Sequence, residues 1–326
     1  MASTAETSSK NSAFLIGRET PRSLAVAAAV LVAFLIAAPY VLYPVFLMKA
    51  LCFALFACAF NLLLGYAGLL SFGHALYFGW ASYVAAYAAK SWGLSPELAI
   101  LTGTATAAGL GIIAGVVAIR RQGIYFAMIT LALAQMMYLV ALRVKFTGGE
   151  DGIQAVPRGW LFGLVDLSHE MNMYVFVTVV VLAALFLIYR IIDSPFGEVL
   201  RAIRENELRT ISLGYSTDRY KLAAFILSAT LAGLAGATKA LVFQLASLTD
   251  VHWTMSGEVV LMTLVGGLGT VFGPIVGAFL IVAMENYLAP FGQWVLVIQG
   301  AIFVVCVLVF RRGIVGELAH RLKVRL

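Results

Sequence analysis

Charge is scarce in this sequence. Only 12% of its 326 residues are Asp, Glu, Lys or Arg, against 62% that are hydrophobic. A soluble chain carries about 25% charged residues, so this one has too little polar surface to cover itself in water. Cysteine is scarcer still: Cys52, Cys58 and Cys306 all fall in apolar stretches, as small packing residues, and make neither a disulfide framework nor a metal knuckle. The four histidines, His74, His169, His252 and His320, include no pair at helical metal-ligand spacing. There is no Walker A loop and no G-x-S-x-G nucleophile elbow, and Gly266-Gly267-Leu268-Gly269 lacks the spacing of a dinucleotide loop. An enzyme is not expected, nor is a metal or other cofactor. Acidic residues are nearly missing from the apolar stretches, where Glu258 and Glu285 lie toward segment ends. Carriers coupled to protons or sodium need such groups near the membrane midplane. The chain therefore reads as a conduit whose energy comes from elsewhere.

What the sequence has in abundance is long apolar runs. Ten lie near 24–42, 44–64, 66–89, 96–118, 122–142, 172–190, 222–244, 257–270, 273–289 and 293–310. A helix rising 1.5 Å per residue needs about 20 residues to cross a hydrocarbon core of ~30 Å. The expected fold is all-α: a polytopic membrane protein of about ten transmembrane helices, bathed in lipid, whose five-plus-five division fits an inverted repeat. The eighth run, only fourteen residues, is either a short span or re-entrant. Residues 1–22 form a polar N-terminal tail expected to be disordered, 23–311 a single transmembrane domain, and 312–326 a basic tail. Lys10, Arg18 and Arg22 ahead of Leu24 resemble a signal peptide, but no clear cleavage site follows, so a retained first helix is expected.

The net charge of +6 does not indicate nucleic acid, because the basic residues sit between the apolar runs. Alternating sides from a cytoplasmic N-terminus places sixteen of the 22 Lys and Arg residues inside, including Arg120, Arg121, the loop 191–221 and the C-terminal tail. Lys90, Arg143, Lys145 and Arg158 fall outside, and Lys49 and Lys239 snorkel at outer helix ends. Both termini then face the cytoplasm.

In the inner loop, Ser194 is a good N-cap and Pro195 suits a first helical turn. Phe196, Val199, Leu200 and Ile203 then mark one helix face. The stripe slips after Asn206, and Gly214 is a plausible stop, giving an amphipathic helix over 195–213. It either lies on the membrane or docks its apolar stripe into a soluble partner. Small residues four apart, such as Gly103, Ala107, Gly111 and Gly115, or Ala232, Gly236 and Ala240, predict close helix packing. Gly-rich breaks in the third and eighth runs, with Gly68, Gly73, Gly266, Gly267 and Gly269, point toward a translocation path. Asn61, Ser71, His74, Thr130 and Gln135 are the polar residues to line it, each with a packing hydrogen bond as the plainer role.

Five blocks carry a family resemblance. They are Gly68-Leu69-Leu70-Ser71-Phe72-Gly73-His74-Ala75, then the runs 123–132 and 146–153, Ser194-Pro195-Phe196-Gly197 through Asn206 to Tyr215, and the run 266–274. In this order, over roughly 60–280, they resemble branched-chain amino acid ABC importer permeases of the LivM type. The resemblance implies a four-part translocator in a bacterial inner membrane. A homologous permease subunit, two soluble ATP-binding cassette subunits and an external, periplasmic solute-binding protein would be the partners. Phe196, Glu198, Leu200, Arg201, Ile203, Arg204, Glu205, Asn206 and Gly214 would then belong to the ATPase-coupling helix. Branched-chain amino acids are the implied solute. The same family also handles urea and short amides, and a self-sufficient facilitator is the reading of a different class.

The charge asymmetry predicts the sidedness of two loops. Single cysteines replacing Glu150 and Glu205 in a cysteine-free background should react with an impermeant reagent from opposite faces; labelling of both from one face contradicts this topology.

Overall fold

The structure, a computed structural model, describes residues 21–40, 42–292, 294–309 and 313–321. The expected N-terminal tail lies almost wholly outside them. In chain order the helices are α1 (Pro21–Ala37), α2 (Pro44–Asn61), α3 (His74–Lys90), α4 (Pro96–Ala118), α5 (Ile124–Arg143) and α6 (Glu170–Ile192). They continue as α7 (Pro195–Glu205), α8 (Glu207–Ser212), α9 (Thr217–Phe243), α10 (Trp253–Gly266), α11 (Gly273–Leu288), α12 (Trp294–Val309) and α13 (Gly313–Arg321). Each of the ten apolar runs overlaps a helix. Five described helices, α2 with its extension to Tyr66, α4, α5, α6 and α9, are long and apolar enough to cross a membrane. The chain is an all-α polytopic membrane protein.

Proline starts several of these helices. Pro44, Pro96, Pro195 and Pro274 sit in the first turn of α2, α4, α7 and α11, where a missing N–H costs nothing. The most enclosed helix is α2, nearly all of it buried from Leu47 onward, with α6, α9, α10 and α11 packed around it. Helix α9 is the second hub, against α3 and α4. Lipid is as apolar as leucine, so helices associate here by close packing rather than by escape from water. The small residues provide it: a Cβ built on Gly236 would lie 1.9 Å from the carbonyl oxygen of Phe78, and one on Gly233 would lie 2.2 Å from the Cβ of Ala107.

Several expectations need correction. The third run is not helical from residue 66; α3 begins at His74, because Gly68 takes φ +73° and turns the chain. The eighth helix runs 253–266 rather than 257–270, with Gly267 at φ +129° breaking it. The inner loop forms two helices rather than one over 195–213. Asn206 is extended between them, and its side-chain oxygen accepts from the Arg209 N–H at 3.0 Å, starting α8. The C-terminal tail carries α13, which packs on α10 and α11. Two short antiparallel pairs also form, β1 (Ile153–Gln154) with β4 (Leu245–Ala246) and β2 (Trp160–Leu161) with β3 (Val165–Asp166).

Helix ends gather on two opposite faces. One face joins Lys90 to the Gln154 carbonyl at 2.7 Å, Arg158 to the Val242 carbonyl at 2.8 Å, and β1 to β4. The other gathers Gly65, Arg204, Gly269 and the start of α9. These are the two sets that alternation from the N-terminus assigns to opposite sides.

The packing predicts a contrast between two glycines. Gly236→Ala forces α3 and α9 apart and should destabilise the purified protein by about 1–3 kcal/mol, the usual cost of overpacking. Gly109→Ala, with nothing within 4 Å of the added carbon, should not. Thermal melting in detergent checks this; equal melting temperatures for both variants contradict it.

Candidate functional site

Two constellations stand out, one on each face. The first is a junction built on Asn61, at the end of α2. Beyond Asn61 the helix widens into a π-turn, Leu62–Tyr66, and then stops. The buried Asn61 amide nitrogen donates to the Thr270 carbonyl at 2.8 Å, and its oxygen accepts from the Gly269 N–H at 3.0 Å. One side chain thus ties the break after α2 to the break between α10 and α11. Space here is tight: a Cβ on Gly65 would lie 2.2 Å from the Asn61 side-chain oxygen and 2.9 Å from the Gly269 nitrogen.

Arg204 completes the junction from α7. Its guanidinium donates to the carbonyl of Gly65, near the end of the π-turn, and its stem packs against Gly68. A cation at a helix C-terminus satisfies spare carbonyls and complements the helix dipole. Arg201, one turn earlier, lies 5.4 Å from the centre of the Tyr66 ring. Helix α8 is held to the other hub, since Glu207 accepts from Lys221 and, at 3.1 Å, from the Thr217 hydroxyl, both on α9. The α7–α8 unit therefore grips the end of α2 and the start of α9.

The orientation of α7 corrects the sequence reading. Ser194 caps it as expected, accepting from the Gly197 N–H at 3.4 Å, and Gly214 takes φ +90° after α8. The apolar stripe, however, faces the chain's own bundle: Leu200 and Ile203 are buried, and Phe196 stacks on Tyr220 with ring centres 5.7 Å apart. It is not free to anchor a partner. The face left open carries Glu198, Glu205, Asn206 and Arg209, followed by Leu208 (77% exposed), Ile211 and Leu213 (70% exposed).

The polar residues proposed for a path spend their hydrogen bonds inside the bundle. The Thr130 hydroxyl accepts from the Phe72 N–H at 3.2 Å, and Ser71 accepts from the Gly73 N–H at 3.2 Å. Ser256 of α10 accepts from the Ala75 N–H at 2.9 Å. Together they satisfy donors that α3 leaves open at its start. His74 is buried, with Nε2 2.8 Å from the Ser228 hydroxyl, which donates to the Ala59 carbonyl at 2.6 Å. Gln135 is half-buried on α5. Gly266 and Gly73 serve close approach, to Gly273 and Thr130 respectively, and Gly267 meets Gly313 at the start of α13.

The second constellation is a cavity of about 380 Å³ on the opposite face. Lys49 of α2, Lys239 of α9, Glu258 of α10, Glu285 of α11 and Asp250 of the loop before α10 line it. Lys49 pairs with Glu285 at 3.0 Å, and Lys239 with Asp250 at 2.6 Å. The sequence shows each of these charges near a helix end but not that they converge, because their separations of up to 236 residues carry no periodic signal.

The family described as "Branched-chain amino acid transport system / permease component" matches residues 43–307, a span that contains both constellations. The chain belongs to that family. This permease is 27% identical to the high-affinity branched-chain amino acid transport system permease protein LivM of Escherichia coli (strain K12), over 81% of this chain and 68% of that protein. The LivM protein of Salmonella typhimurium (strain LT2) is similar to the same extent. A probable branched-chain amino acid transport permease protein LivM of Methanocaldococcus jannaschii is 29% identical over 49% of this chain and 47% of its own. No solved structure matches the chain. As a member of this family, the permease is the membrane subunit of an ABC transport system and is not itself the catalytic component.

Proposed function

We propose that this permease is one membrane half of an ATP-driven importer of branched-chain amino acids, embedded in a bacterial inner membrane with ten spans and both termini in the cytoplasm. A homologous permease forms the other half, two soluble ATPases sit beneath the pair, and an external binding protein delivers the solute. The observation that carries this reading is the α7–α8 unit. It is held to the inner ends of both α2 and α9, and its opposite face is unpartnered among the described residues.

That geometry supports a division of labour. The buried stripe of α7 and Arg204 transmit displacement to the bundle, while Leu208, Ile211 and Leu213 of the α8 segment insert into the ATPase. Closure of the ATPases pulls α7, and through Arg204 and Asn61 the two glycine breaks shift together. Backbone in the non-helical breaks changes course at lower cost than a continuous helix does. The polar residues at the breaks, Asn61, Ser71, His74 and Thr130, keep the moving backbone paired beside the path. Proteins of similar sequence named for branched-chain amino acids support the solute class.

Proteoliposomes holding the full complex, with ATP inside on the ATPase side and the cognate binding protein outside, test this. ATP-dependent accumulation of labelled leucine or valine is the expected outcome. Accumulation of urea with no response to aliphatic amino acids overturns the substrate, and leucine flux independent of the ATPases overturns the mechanism in favour of a facilitator.

A further inference from the structure

We infer that the cavity bounded by Lys49, Glu258 and Glu285 is an α-amino acid site, in which Glu258 takes the ammonium group and Lys49 the carboxylate. The inference rests on the transport reading above and gives its solute a binding site within this chain.

The charge count is the starting point. The cavity holds two cations and three anions, and the two ion pairs use both cations. Glu258 is left over, with neither an ion pair nor a hydrogen bond among the described residues. Glu258 is half-buried, so its carboxylate is partly withdrawn from water without a partner, and an incoming ammonium group offsets that cost.

The two ion pairs differ in kind. Lys239 and Asp250 are buried, and Asp250 also accepts from the Ser247 N–H at 3.3 Å, so this pair fixes the loop to α9. Lys49 and Glu285 retain 31% and 22% side-chain exposure and share a single contact. The Lys49 ammonium has three donors and spends one on Glu285, so a guest carboxylate can share it while the guest ammonium settles on Glu258. Phe53, Phe243 and Met255 supply an apolar wall for an aliphatic side chain. The volume lies in the range of small-molecule sites, about 300–1,000 Å³. A neutral solute such as urea can neither neutralise Glu258 nor compete for Lys49, so the site separates amino acids from amides.

The test uses the assembled complex in nanodiscs, without ATP or binding protein, and labelled leucine as probe. Leucine should bind, leucinamide, which keeps the ammonium group, should compete, and urea should not. Glu258→Gln should weaken leucine binding at least tenfold, and Glu258→Asp, which restores the charge, should recover most of it in an equally well assembled complex. Equal leucine binding by wild type and Glu258→Gln overturns the site, as does equal competition by urea or by sodium ions. ATP-driven leucine uptake by the same preparations separates the two levels. Uptake by wild type with no loss in Glu258→Gln removes the site and leaves the transport reading standing, whereas no leucine uptake by wild type removes both.

Discussion

Asn61 is the contact on which the Gly65–Gly269 face of this molecule depends. Inside a bilayer no water is at hand to pair exposed backbone groups, and each one left unpaired costs several kcal/mol. Two glycine-rich breaks leave helical structure on the same face, 67–73 and 267–272, and each frees backbone donors and acceptors. The Asn61 amide answers one break from the other, donating to Thr270 and accepting from Gly269. Ser71, Thr130 and Ser256 do the same for the start of α3. These polar groups are thus accounted for by the backbone they satisfy.

From that constraint the coupling geometry follows. Gly65 lacks a side chain because Asn61 and Gly269 occupy the space, and its carbonyl turns outward to Arg204. Helix α7 is then fastened to the π-turn after α2 by a charged hydrogen bond and to α9 by the stacking of Phe196 on Tyr220, and α8 to α9 by Glu207. A displacement of this unit reaches both central helices and both breaks at once. On the far face, the charged cavity joins α2, α9, α10 and α11, three of which end at the junction. The two constellations are therefore joined by shared helices.

Much of this was legible in the sequence, and the part that was not has a common cause. Hydrophobic run length located the helices, and Ser194-Pro195 with the 3–4 spacing of Phe196, Val199, Leu200 and Ile203 gave α7 and its cap. The slip after Asn206 foreshadowed the separate α8. Periodicity cannot tell which surface buries an apolar stripe, so the stripe was assigned outward when it packs on the chain's own bundle. Glycine in 65–73 and 266–273 marked the breaks, but a glycine inside an apolar run does not say whether the helix passes through it. The charged cavity was invisible for a different reason: Lys49, Lys239, Glu258 and Glu285 each looked like a residue reaching toward a membrane surface, and only the packing of four helices brings them together.

The claim at the centre of this account is that ATPase motion enters the membrane domain through Arg204 and the Asn61 junction. The measurement that addresses it is the ratio of leucine accumulated to ATP hydrolysed by reconstituted complex, wild type against Arg204→Met, which keeps the apolar stem and removes the hydrogen bond to Gly65. The account predicts that the complex assembles and hydrolyses ATP while leucine moved per ATP falls several-fold. An unchanged ratio in the variant contradicts it.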